Sequence, residues 1–231
     1  MRDAFCDLLL GGRCAGCGVG GRVLCADCRE DLPMAGRPSV PEPAPAGLPP
    51  VFTAGEYADL LRRLVLAHKE HRAFGLAVPL GVVLAAVLAD ALADLGAPAG
   101  TRPLLVPVPS SRSATRARGH DPVRRMVIAA ARAARGPTFA APLLRVARKV
   151  ADQAGLDARQ RAANLDGRLA VSGRQLRLLA RSGGPVLPVL CDDVLTTGAT
   201  LAEAQRALTA VGLPAALAVT VAATRKRLPL S

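Results

Sequence analysis

The stretch Val189-Leu190-Cys191-Asp192-Asp193-Val194-Leu195-Thr196-Thr197-Gly198-Ala199-Thr200-Leu201 brings together residue types that could do chemistry. An apolar run of strand character leads into two adjacent carboxylates, then into a hydroxyl and glycine loop that opens a helix. Such a loop suits a phosphate monoester. Backbone N–H groups at a helix N-terminus point outward, Thr196, Thr197 and Thr200 add hydroxyl donors, and Gly198 permits close backbone approach. Asp192 and Asp193, just before the loop, could accept hydrogen bonds from sugar hydroxyls. The plainer alternative is an ordinary strand-to-helix turn in which Asp and Thr serve as caps.

A second constellation is Cys14-x-x-Cys17, a gap of seven residues, then Cys25-x-x-Cys28. Two thiolate pairs on tight turns suit a tetrahedral zinc site, and Gly16 and Gly18 ease the first turn. In so small a module a structural metal would substitute for a missing hydrophobic core. Disulfides are the alternative, disfavoured if the chain is cytoplasmic. Cys6 is left over as a spare thiol.

These residues need elements to hold them. The chain has 231 residues, 51% hydrophobic and 2% aromatic, enough for one substantial domain with a small appendage. Residues 1–35 form the cysteine module. Residues 36–54, with Pro38, Pro41, Pro43, Pro45, Pro49 and Pro50, read as a proline-rich linker, and residues 55–231 as the main domain. Helical spacing of Tyr57, Leu60, Leu61, Leu64 and Val65 predicts a helix over Glu56–Glu70, with His68 on the same face as a satisfied helix histidine. Leu76–Leu95 is a nearly apolar helix. Asp121 is expected to cap a helix over Pro122–Ala134, with proline at its first position. Leu104–Pro109, Leu169–Val171, Val186–Cys191 and Leu217–Ala223 read as strands, and Ala199–Val211 as a helix. Alternating strands and helices imply an α/β fold with a parallel-core sheet flanked by helices.

The longest apolar run, Leu76–Ala89, has 14 residues and contains proline and glycine, short of a bilayer span of about 20 residues. With acidic residues where a signal peptide carries basic ones, the expected compartment is the cytoplasm. Net charge is +12, yet residues 101–182 alone carry +13. A solvated basic loop and a polyanion-binding surface both fit that clustering.

The acidic pair and the Thr-Thr-Gly-Ala-Thr loop resemble the 5-phosphoribosyl-1-diphosphate (PRPP) loop of the type I phosphoribosyltransferases. Further motifs resemble the ComF-like competence proteins of that superfamily. They are Leu105-Val106-Pro107-Val108-Pro109-Ser110-Ser111-Arg112, Arg116-Ala117-Arg118-Gly119-His120-Asp121, Gln153-Ala154-Gly155-Leu156 and Arg159-Gln160-Arg161-Ala162-Ala163-Asn164. Pro188 and Cys191 depart from the pattern, and His120-Asp121 stands where the branch has an aromatic-Asn pair.

The resemblance implies a type I phosphoribosyltransferase-like fold behind an N-terminal zinc ribbon. It implies that Asp192 and Asp193 hold the ribose hydroxyls and that Thr196, Thr197, Gly198, Ala199 and Thr200 cradle the 5-phosphate. Lys69, Arg112, Arg116 and Arg118 would meet pyrophosphate, since guanidinium groups fit phosphate bidentately. The implied reaction displaces pyrophosphate from the anomeric carbon by an unknown nitrogenous acceptor, with Mg²⁺ on PRPP oxygens and structural Zn²⁺ on Cys14, Cys17, Cys25 and Cys28. The alternative is a non-enzymatic protein of DNA uptake and natural transformation, working with the uptake machinery. It would contact single-stranded DNA through the basic 101–182 segment. With four Phe, one Tyr and no Trp, aromatic stacking on bases is sparsely provided for.

Overall fold

The computed structural model describes residues 12–110, 120–147 and 167–224. Its elements run α1 (Ala26–Glu30), β1 (Arg37–Pro38), β2 (Val51–Glu56), α2 (Asp59–Glu70), a 3₁₀ turn (Phe74–Leu76), α3 (Ala77–Asp94), β3 (Pro103–Pro107) and α4 (Pro122–Ala133). There follow β4 (Phe139–Ala140), β5 (Leu144–Val146), β6 (Leu169–Val171), α5 (Gly173–Arg181), β7 (Leu187–Leu195), α6 (Ala199–Thr209) and β8 (Leu217–Ala223). Among the described residues, six strands form one sheet in the order β1-β2-β8-β7-β3-β4, and β5 and β6 make a separate antiparallel ribbon. Only the β1–β2 pairing of the large sheet is antiparallel.

All residues of β3 and β8 are buried. This is why they read as unbroken apolar runs, since a parallel strand covered on both faces has no polar side to show. One face packs on α2, α3 and α4, bringing Leu105, Val189, Cys191 and Val219 against Leu64, Leu84 and Met126. The other packs on α6, where Leu104, Val106 and Leu190 meet Leu201, Ala204 and Leu208. The helices that follow β3 and β7, two adjacent strands, thus lie on opposite faces of the sheet. In open α/β sheets that arrangement leaves a crevice at the carboxyl ends of the two strands.

Several local expectations hold in detail. Asp121 caps α4 by accepting from the Arg124 N–H at 3.0 Å, with Pro122 as its first residue. In α3, proline stands within the first turn, where no intrahelical donor is lost. Gly81 lets α4 approach closely, for a Cβ there would lie 2.6 Å from the Ala129 Cβ. The span Phe74–Asp94 is long and apolar enough by composition to cross a membrane, but 61% of it is buried inside the protein.

Other expectations need correction. The helix expected from Glu56 begins at Asp59, because Val51–Glu56 is a buried strand running parallel to β8. Residues 36–54 do more than link. Arg37–Pro38 pairs with β2, the Ser39 N–H donates to the Val51 carbonyl at 2.8 Å, and the Gly36 N–H donates to Asp90 Oδ2 at 2.6 Å. Proline removes its own donor but leaves its neighbours free to pair at a sheet edge. The cysteine module packs into the main core through Cys14, Leu24, Cys28 and Leu32. Strand β7 passes through Pro188 unbroken. Its ladder is carried by the Leu187 N–H to Arg102 and by the Pro188 carbonyl, which accepts from Ala216, both at 2.9 Å. It also runs beyond Cys191 to Leu195, placing the acidic pair inside the strand.

Candidate functional site

The site grows out of unequal strand lengths. Strand β3 pairs with β7 only as far as Pro107 opposite Cys191, whereas β8 stays paired to Leu195. From Asp192 onward β7 therefore has one open flank at the crevice between β3 and β7. Successive strand residues face opposite ways. Asp193 shares the parity of Val189 and Cys191 and lies on the α2 side, where Lys69 Nζ meets its Oδ2 at 2.8 Å. Asp192 shares the parity of Leu190 and lies toward α6.

Asp193 is 8% exposed, and Asp192 keeps a partly exposed edge. The Asp193 N–H donates to Asp192 Oδ1 at 2.8 Å. Burial, and then the adjacent Asp193 charge, push the Asp192 carboxyl well above the usual carboxylate range, outweighing that N–H and Lys69. Two carboxylates side by side in a crevice suit a ligand bringing its own hydroxyls or a cation. Beneath them, His68 is 3% exposed, with Nε2 3.1 Å from the Pro122 carbonyl and Nδ1 3.3 Å from that of Ala73. Burial lowers its pKa, so it acts as a core tie between α2 and the start of α4.

Beyond Leu195 the chain turns through Thr196 and Thr197, both exposed, to Gly198. Gly198 is the N-cap of α6 and adopts φ +73°, a left-handed conformation that glycine takes without cost. The Thr197 hydroxyl accepts from the Ala199 N–H at 3.4 Å, so this donor has a partner within the loop. A cavity of about 280 Å³ opens here, lined by Lys69, Asp192, Asp193, Thr196, Gly198 and Thr200 together with Ser110, three residues past the end of β3. The structure thus gathers six of the residues singled out in the sequence into one pocket. Thr197 instead borders a separate cavity, and Ala199 offers only backbone. Arg112, Arg116 and Arg118, like the Gln153–Asn164 motifs, lie outside the described residues.

The four cysteines also converge. Their sulfur atoms all lie within 4.8 Å of one another, with Cys25 Sγ 3.6 Å from both Cys14 Sγ and Cys17 Sγ. A tetrahedral metal with bonds of about 2.3 Å would set sulfurs roughly 3.8 Å apart, so the donor set fits such an ion. No disulfide joins the described cysteines. Burial pushes the Cys14 thiol up, but N–H groups of Cys25, Cys17 and Gly16 outweigh it and bring it down to about 6, in the thiolate form a metal needs. Burial pushes Cys28 upward, and Cys191, deep in β7, is likewise raised and is an inert core thiol.

Sequence reasoning missed how the proline-rich segment meets the loop. Atoms of Pro41 and Leu48 stand 3.1 Å from where a Cβ on Gly198 would be. No local signal foretells this, because the contact joins residues about 150 positions apart that only the sheet brings together. The fold and site define an α/β protein with a mostly parallel sheet, a four-cysteine cluster able to hold a metal such as zinc, and an acidic crevice next to a hydroxyl-rich loop. No protein-family model matches the chain, and no curated protein matches it significantly.

Proposed function

We propose that the chain is a PRPP-binding protein of the type I phosphoribosyltransferase fold and ComF type, able to transfer phosphoribosyl to a nitrogenous acceptor with release of pyrophosphate. The observation that carries this reading is the joint placement of Asp192, Asp193, Thr196, Gly198 and Thr200 around one cavity at the carboxyl ends of β3 and β7. Carboxylates accept hydroxyl protons, and a helix N-terminus with threonines attracts a phosphate. Ribose 5-phosphate presents both groups. Lys69 would neutralise Asp193 in the empty site and turn to the diphosphate once hydroxyls replace it. A Mg²⁺ ion in this crevice would be held mainly by substrate oxygens and water, with Asp192 and Asp193 at its edge. Stabilising the leaving diphosphate would then be electrostatic work for Lys69 and, as the resemblance implies, for Arg112, Arg116 and Arg118. We assign Zn²⁺ to the four cysteines in a structural role, with cytoplasmic residence. Titration with PRPP and Mg²⁺ tests the reading, with pyrophosphate release as the assay for turnover.

A second reading has one observation in its favour. The described residues between Pro122 and Cys191 include nine arginines and no carboxylate. Three of them, Arg174, Arg177 and Arg181, recur on one side of α5, a helix without a buried residue. Such a surface suits the backbone of single-stranded DNA during uptake. Binding should then weaken steeply with salt and be lost on Arg174→Glu plus Arg177→Glu. Salt-independent binding would exclude it.

A further inference from the structure

Helix α3 departs from the rule that a surface helix turns polar residues to water. Its inner face, with Leu80, Leu84, Val87, Leu88 and Ala91, is buried in the core under the sheet. Its outer face continues from the preceding turn at helical spacing as Phe74, Val78, Val82, Ala86, Ala89 and Ala93, each exposed or half-buried. Phe74 is 40% and Val78 58% exposed. No residue from Phe74 to Ala89 is polar, in a chain with 30 basic and 18 acidic residues. Neighbours leave this stripe open between them, for α4 meets the helix at Gly81 on one side and the segment at Gly36 crosses it at Val87 on the other.

The stripe is complementary to itself. Phe74, Val78 and Val82 make its first half large, and Ala86, Ala89 and Ala93 make its second half small. A second copy turned end for end about a two-fold axis sets Phe74 over Ala93, Val78 over Ala89 and Val82 beside Ala86, each contact made twice. A parallel copy would set large on large and leave gaps between the alanines, so shape selects the antiparallel pairing. Charge points the same way. Arg72 and Arg125 stand exposed at the first end, the Arg125 guanidinium carbon 4.5 Å from the centroid of the Phe74 ring, and Asp90 and Asp94 stand exposed at the last. Antiparallel pairing therefore lays each cationic end over the partner's acidic end. The same two carboxylates oppose docking on an anionic bilayer. The stripe is about 28 Å long and supplies an apolar core of roughly 300 Å². Met34, 53% exposed two residues before Gly36, and Arg125 and Arg132 of α4 form a rim that extends it toward the roughly 800 Å² per partner of a stable pair.

We propose that the outer faces of two α3 helices pack antiparallel to make a two-fold dimer of this chain. No stripe residue lines either cavity at the Thr196–Thr197 turn, so the proposal stands apart from the PRPP reading. Light scattering and sedimentation equilibrium of the full chain over roughly 1–100 µM should show a monomer passing to twice its mass. Val78→Arg and Ala89→Glu change exposed positions and leave the core untouched, which circular dichroism checks. Each alone sets two unpaired charges in the pairing and should raise the dissociation constant by about tenfold or more. Mixed one to one, the two substitutions face each other once and leave the other pairing native, so the dimer should return. The proposal is overturned if the unaltered chain stays monomeric over that range, or if whichever variant folds dimerises as well as the unaltered chain. A monomer that instead sediments with anionic vesicles would give the face to a lipid surface and overturn it too. The antiparallel register is overturned if the mixture dimerises no better than its components.

Discussion

At Asp192 a carboxyl is buried where folding alone would not put one. Its raised pKa means that the folded chain resists ionisation that the unfolded chain undergoes near pH 3.8. Below that pH both states are protonated and the residue is neutral to stability. As pH rises from there toward the raised folded value, a penalty accumulates and then stays constant. Asp192→Asn keeps an oxygen to accept the Asp193 N–H and removes the ionisable group. It should therefore melt higher than the unaltered chain at pH 7, by about 2–4 °C per kcal/mol relieved, with the gap closing near pH 4. Thermal melts across that range check this, and an unchanged or lower melting temperature at pH 7 would mean that Asp192 is not strained. Lys69→Met should do the opposite. It leaves Asp193 buried without its 2.8 Å partner, so stability should fall by about 1–3 kcal/mol in denaturant titration. The chemical identities of these residues were legible in the sequence because a carboxylate pair before a hydroxyl and glycine loop is a local pattern. The Lys69–Asp193 contact was not legible from local pattern, since it spans α2 and β7.

The scale of elements explains which parts of the fold could be read. Helices α3, α4 and α6 and strand β8 announce themselves by periodicity, caps and apolar runs that the chain carries locally. Strand β2 was hidden because Phe52, Thr53 and Gly55 follow a run of prolines and lead straight into a strongly periodic helix. Of the three-residue ribbon strands, β6 is legible in the sequence as Leu169–Val171 whereas β5 is not, and tertiary ties fix them. The Leu169 N–H donates to Glu203 of α6 at 2.8 Å, and Arg206 donates to the Leu169 carbonyl at 3.1 Å. Glycines report on element packing most directly. Gly81→Ala should force α3 and α4 apart and cost about 1–3 kcal/mol by overpacking, measured by chemical denaturation. In Gly198→Ala the left-handed backbone adds about 1–2 kcal/mol of strain to the contact with Pro41 and Leu48. That variant should bind PRPP more weakly even where it remains folded.

For the whole molecule, the cysteine module and the crevice share one core. Cys14 and Cys28 pack in the same apolar cluster as Leu64 of α2, five residues before Lys69 near the end of that helix. Metal removal should therefore lower the melting temperature of the whole domain in a single transition, and freshly reduced protein should carry about one zinc per chain. A separate low transition, or well under one zinc per chain, would contradict this. The cysteine spacing made the cluster legible, whereas its packing into the shared core includes Leu24 and Leu32, which carry no motif. The central claim is that the acidic crevice binds a phosphoribosyl donor. Its most direct test is calorimetric titration with PRPP and Mg²⁺ of the unaltered chain and of Asp192→Asn plus Asp193→Asn. The account predicts saturable binding to the former and its loss in the double variant. Absence of binding to the unaltered chain, or equal binding by both, would contradict it.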